Sequence, residues 1–162
     1  MNIFAVQHDP QDAAIDLPDK LICKMPLESA QMLCTAHREL SPNKYCEEKG
    51  LYLSAFKNHP CTIWTRTTSE NYRWLLIHWI SLCEQFYFRY GKYHKSWTDL
   101  WDGLKIFPMD IPEGDMTPFA QAMPEQYKNP NDHIKAYRDY MINEKHYAAW
   151  NKGIDKPKWW IK

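Results

Sequence analysis

With 162 residues, the chain has the length of one domain and enough of it to bury a core. Its 20 basic and 20 acidic residues cancel. That excludes a general electrostatic grip on nucleic acid or a membrane surface, and leaves DNA contact to a local patch. No window approaches the ~18 apolar residues of a membrane span. Asn2 to Ala14 has neither the basic head nor the apolar run of a signal peptide, so a soluble, cytoplasmic protein without a membrane partner is expected.

Met1 to Gln7 reads as a short apolar start, extended and packed on the core. Asp9 followed by Pro10 is a helix opening, cap then proline in the first turn, and predicts a helix over Gln11–Leu17 that Pro18 ends. Asp19 is placed to cap the next helix, which runs to about Leu40. Pro26 removes a backbone donor inside it. Either the helix kinks there, or a first stretch, Asp19–Met25, precedes a main helix from Pro26. Ser41 to Pro60 is loop-like, with Ser-Pro-Asn, Gly50 and Asn-His-Pro as breakers. Thr67-Thr68-Ser69-Glu70 has the spacing of a capping box and opens the longest helix, Ser69 to about Tyr90, which Gly91 stops. Its apolar residues are too dense for one face, which predicts a central helix. A shorter helix follows over Ser96–Leu104. Phe107 to Pro130 holds five prolines and reads as an irregular segment wrapping the surface. Asn131 is expected to cap a last helix through Tyr147 and Ala148 to near Gly153, before an aromatic, basic tail. The fold class is mainly α, a compact single-domain helical bundle.

The five cysteines are scattered, without a C-x-x-C pair, and read as reduced thiols of a cytosolic protein. The seven histidines show neither H-x-x-x-H nor tight pairing with cysteine, so no metal site is expected; no cofactor is called for. A nucleophile elbow and a phosphate-binding glycine loop are both absent. The aromatics, 8 Trp, 10 Tyr and 6 Phe, are core material first, with base stacking as the functional alternative.

Two constellations can carry chemistry. On the helix from Asp19, residues Lys24, Glu28, Gln31, Thr35 and Arg38 fall on one polar stripe, with Lys20 a turn earlier. A solvated helix face has the same pattern. If the stripe faces a cleft, Glu28 can act as a base or stabilise a cationic sugar, and an amine can act as nucleophile. A free lysine near ~10.4 is mostly protonated, whereas an α-amine at ~7.7–8.0 needs no tuning. The second constellation is Asn58-His59-Pro60 with Trp64 and Arg66, where a loop-to-helix entry can aim an amide and an imidazole at one point; the alternative is a plain turn. His37 and His78 fit core positions, and Arg66, Arg73, Arg89 and Lys92 suit either phosphate or solvent.

The opening Met1-Asn-Ile-Phe, the run Glu28-Ser-Ala-Gln-Met-Leu, Asn58-His-Pro-Cys-Thr-Ile-Trp and Pro118-Phe-Ala-Gln-Ala-Met-Pro resemble a family of small bacteriophage proteins. That match covers nearly the whole chain and carries no activity with it. More distantly, the layout is similar to the phage pyrimidine-dimer DNA glycosylase/AP lyase family. Asp19 and Glu28 have that family's spacing of an acidic residue and the catalytic glutamate. His59, Trp64 and the stretch from Cys83 to Gly91 follow its later pattern, two residues longer in the last spacing, and an aromatic-basic tail closes both. The resemblance implies attack of an amine on the sugar C1′ beneath a pyrimidine, loss of the base, a Schiff base, and elimination of the 3′ phosphate with help from the glutamate. It also implies a target taken out of the base stack. The family's nucleophile is the α-amine of a small hydroxyl residue exposed when the initiator is removed. Here Asn2 is too bulky for that, so the Met1 amine, Lys20 or Lys24 takes the part.

The catalytic set expected on this basis is Glu28, Lys24, Met1 and His59, with Lys20, Gln31, Asn58, Trp64, Arg66 and Arg38 binding a DNA or nucleotide substrate. The alternatives are a non-lyase phage enzyme of modified-nucleotide metabolism and a non-catalytic interaction protein. The catalytic account requires Glu28 to turn inward, toward a hollow shared with the start of the chain and the His59 bend.

Overall fold

The computed structural model describes residues 1–161, and among these the fold is mainly α, with no strand. Seven helices follow in order: α1 (Pro10–Ile15), α2 (Asp19–Leu40), α3 (Asn43–Glu48), α4 (Pro60–Thr65), α5 (Ser69–Tyr90), α6 (Lys95–Leu104) and α7 (His133–Glu144). No helix among the described residues is long and apolar enough to cross a membrane.

Helix α5 is the central post. Tyr72, Leu75, Trp79 and Leu82 are wholly buried along it, and it packs against both α1 and α2. Thr68 caps it, accepting from the Asn71 amide at 3.2 Å. This shifts the expected capping box by one residue: Glu70 does not reach back to the cap but pairs with Arg73 at 3.0 Å. Gly91 ends the helix at φ 68°, the left-handed conformation that costs glycine nothing.

Helix α2 runs unbroken through Pro26, which is buried. Asp19 does not cap it. Instead its Oδ1 pairs with Arg89 at 3.1 Å and its Oδ2 accepts from the Asn151 amide at 2.7 Å. Arg89, its side chain wholly buried, also donates to the carbonyls of Ile15 and Leu17, both at 2.8 Å. One guanidinium thereby satisfies the open end of α1 and locks it to α2 and α5. Arg89 is a structural hub with no face toward an outside phosphate.

Three other expectations change. The supposed loop 41–60 holds α3, tied back to α2 because Arg38 donates to the Tyr52 carbonyl at 3.1 Å and to Glu47. The proline-rich segment is not only surface wrapping, since Phe119 and Met123 are buried in the core; a 3-10 turn, Glu125–Tyr127, interrupts it. The last helix is capped by Asp132 rather than Asn131 and stops at Glu144. The chain beyond it folds back: the indole N–H groups of Trp150 and Trp159 donate to Asp16 at 3.1 and 2.6 Å, and Trp160 is buried.

The start of the chain is interior. Ile3, Ala5 and Val6 are fully buried, and Arg138 of α7 donates to the Val6 carbonyl at 2.8 Å and to the Gln7 side chain at 2.7 Å.

Candidate active site

Asn2 fixes the first residues. Its side-chain carbonyl accepts the amides of Ile3 at 2.8 Å and Phe4 at 3.0 Å, while its amide donates to the Ala122 carbonyl at 2.8 Å. Phe4 sits at φ +41°, a left-handed conformation that L side chains seldom adopt. It is held there by the Asn2 bond and by its ring, which stacks on Tyr140 (centroids 6.3 Å, planes at 7°) and meets Tyr137 edge-on. The Met1 side chain before this turn is only 1 % exposed, and Met1 lines a cleft.

That cleft has a volume of about 400 Å³. Met1, Lys24, Glu28 and His59 all line it, so four residues from three distant stretches of sequence converge there. Glu28 is 9 % exposed and turns inward from α2. Its Oε2 lies 3.7 Å from the Met1 amine and its Oε1 lies 3.0 Å from Lys24 Nζ. One carboxylate is thus straddled by two amines. The two amines differ. Hydrogen bonding to Glu28 and its negative charge raise the pKa of Lys24, which holds the ε-amine in its protonated, non-nucleophilic form.

His59 is the N-cap of α4, placed by Pro60, whose fixed φ suits the first helical position. Its Nδ1 accepts the Cys61 amide at 3.2 Å. The neutral ring therefore carries its proton on Nε2. Partial burial lowers the pKa of His59, and the positive Met1 amine lowers it further, against a smaller upward pull from Glu28. Near neutral pH the imidazole is an uncharged donor beside the amine–carboxylate pair.

The remaining sequence candidates lie elsewhere or do other work. Trp64 is buried, packed on Trp74 and Phe119, with its N–H donated to the Thr117 carbonyl at 3.3 Å. Arg66 closes its own turn through the Lys57 and Thr62 carbonyls at 2.8 and 3.1 Å, and Arg38 holds α3 as described. These three side chains spend their polar groups on the fold, because each lies beside backbone carbonyls that α4, the 41–59 stretch or the proline-rich segment leaves open. Asn58 is exposed beside His59, Gln31 is half-buried on α2, and the Lys20 ammonium lies 4.5 Å over the Tyr147 ring; none of the three lines the cleft.

Asn2, Gln121, Lys128, Tyr140 and Lys145, none of them among the site residues expected from the sequence, also line the cleft. Gln121 bridges a loop, donating to the Asn129 carbonyl at 2.7 Å and accepting its amide at 2.8 Å. This closure sets Ala122 against Asn2. The signal available in the sequence was the Gln-Ala-Met run itself, an apolar patch among prolines. The His37 and His78 positions are core: His37 bridges Ser41 and Tyr72 at 3.2 and 3.0 Å, and His78 Nδ1 donates to the Pro10 carbonyl at 2.9 Å while its Nε2 has no partner.

No protein-family model, no curated protein and no solved structure matches the chain.

Proposed function

We propose that this chain is a DNA- or nucleotide-directed enzyme acting on pyrimidine nucleosides, with an amine nucleophile and a glutamate working as an N-glycosylase/AP lyase. The observation that carries this reading is the Met1 amine 3.7 Å from the buried Glu28 in an open cleft. Burying a carboxylate costs stability unless cations hold it, and here two amines do. Of the two, Lys24 is driven toward its charged form by Glu28, while the Met1 amine stands farther from the carboxylate, at 3.7 Å against 3.0 Å. The Met1 amine is therefore assigned as nucleophile and Lys24 as the charge partner of Glu28.

In the reaction, the Met1 amine gives up a proton to solvent, and the neutral nitrogen forms a bond to C1′ as the C1′–N bond to the base breaks. Its electron pair leaves with the pyrimidine, which takes up a proton. The attached nitrogen loses a proton, and its electron pair forms the C1′=N bond as the C1′–O4′ bond breaks; O4′ takes up a proton, leaving the ring-opened iminium. Glu28 faces that positive charge and stabilises it. The carboxylate also serves as the base that takes the C2′ proton. Its removal drives electrons into the C2′–C3′ bond as the C3′–O bond breaks, so the 3′ phosphate departs with its pair. The Nε2–H of His59 supplies a donor for a sugar or base oxygen.

Borohydride trapping tests this. The protein is incubated with oligonucleotides carrying an abasic site, a pyrimidine dimer or a modified pyrimidine, then reduced and mapped by mass spectrometry. The expected adduct is on the Met1 nitrogen. It is lost when one residue is added ahead of Met1 and reduced at least tenfold by Glu28→Gln. An adduct on Lys24, or none with any of the oligonucleotides, overturns the assignment.

A further inference from the structure

The cleft concentrates positive charge beyond what an amine nucleophile needs. Lys24, Lys128 and Lys145 line it with the Met1 amine, and Glu28 is the single carboxylate of that lining, in a chain whose charges cancel overall. The three lysines come from separate places: α2, the residue following the 3-10 turn, and the residue following α7. Two of them have anionic partners, Lys24 in Glu28 at 3.0 Å and Lys128 in the exposed Glu125.

Lys145 does not. It is half-buried, donates to the Tyr140 hydroxyl at 3.0 Å, and lies 4.5 Å from the centre of the Tyr140 ring and 5.8 Å from that of Phe4. No carboxylate among the described residues forms an ion pair with it. Two ring faces and a hydroxyl stabilise the ammonium, but they leave its charge uncancelled, in a wall of a cavity large enough for a sugar. Lys128 reaches the same cavity with a counter-ion that is itself in water, and an exposed pair of this kind is easily exchanged for a better anion.

The geometry points to Lys145 and Lys128 as the binding site for a phosphate group on the sugar that reacts at the Met1 amine. This inference rests on the sugar-directed reading above and names the residues that hold the substrate's phosphate. A phosphate offers several acceptor oxygens and at least one full negative charge, which suits two lysines acting as point charges. A phosphodiester of DNA and the monoester of a free nucleotide present the same chemistry.

The test is reversible binding with probes that have no aldehyde and so form no imine. An oligonucleotide carrying a tetrahydrofuran in place of one sugar represents the diester. The free anhydrosugar 5-phosphate represents the monoester, and its unphosphorylated parent is the control. Wild type is compared with Lys128→Ala/Lys145→Met, in which the methionine keeps the stem packed on the two rings, and with Lys128→Ala alone; thermal melts check that each is folded. At least one phosphorylated probe is expected to bind the double variant tenfold or more weakly, and the parent equally weakly to both. Where the oligonucleotide is the ligand, the slope of log K against log salt falls by roughly 0.9, as the loss of one neutralised phosphate implies. Loss with the oligonucleotide alone identifies a DNA diester, and loss with the monoester alone identifies a free nucleotide. Equal binding of both phosphorylated probes to wild type and double variant, or no binding to either, overturns the inference. Lysine-dependent binding without borohydride trapping keeps the phosphate site and removes the Schiff-base reading; trapping without lysine dependence does the reverse.

Discussion

Asn2 and Ala122 are joined by a 2.8 Å hydrogen bond that spans 120 residues of chain, and through it the proline-rich segment dictates where the Met1 amine stands. Asn2 also accepts the Ile3 and Phe4 amides. Substituting Asn2→Ala leaves two buried donors and one acceptor without partners, each costing on the order of 1 kcal/mol or more. The variant is expected to lose about 2–3 kcal/mol in urea denaturation. A loss below 0.5 kcal/mol contradicts the anchoring role.

Glu28 sets the protonation of Lys24. Because the hydrogen bond and charge of Glu28 raise the Lys24 pKa, Glu28→Gln should bring it down toward the ordinary lysine value. The Lys24 side-chain resonances, followed by NMR through alkaline pH, report the change directly. An unmoved titration contradicts the pairing.

Acid sensitivity should come from His37 and His78. Burial pushes both down to about 4, whereas an unfolded histidine titrates near ~6.5. Between those values the unfolded chain binds protons that the folded one refuses, so stability rises with pH. It is complete above ~6.5 and drains away as pH falls toward 4, at up to about 1.4 kcal/mol per pH unit for each histidine. Urea midpoints measured from pH 7 to 4.5 should fall accordingly. His78→Asn, which retains a donor for the Pro10 carbonyl without a titrating ring, should flatten the fall; an unchanged slope excludes His78 as a source.

Arg89 is expected to be the most sensitive position outside the cleft. Arg89→Met strands Asp19 and frees the Ile15 and Leu17 carbonyls, a loss of about 3–5 kcal/mol by analogy with broken buried ion pairs. For a chain of this size each kcal/mol lowers the melting temperature by roughly 2–4 °C. Arg89→Lys should recover little, since one ammonium cannot serve three separated acceptors. Full recovery by lysine would show that the fork geometry is dispensable.

The helices most legible in the sequence were those with strong punctuation. Asp9 with Pro10, and Gly91, mark ends that the structure keeps almost to the residue. Asp19 misled because an acid before an apolar run looks the same whether it caps a helix or meets an arginine some 70 residues away. The last helix was drawn too long because Tyr147 and Ala148 continue its spacing, while the backbone after Glu144 turns so that Trp150 and Trp159 can both reach Asp16. At the site, Glu28 and His59 were legible as residue types, and the way they meet was not. It depends on Asn2, Gln121 and the left-handed Phe4, whose roles are relations between distant segments and leave no local pattern. Trp64, Arg38 and Arg66 look like ligand binders by type, but neighbouring carbonyls and rings consume them.

The route of residues 3–6 through the interior has a consequence for how the cleft assembles. Asn2 and Val6 find their partners in Ala122 and in Arg138 of α7, 120 and 132 residues along the chain. Closure over such separations is slow. The hollow beside Glu28 is therefore shaped only once remote segments have docked, and a partly folded chain lacks it.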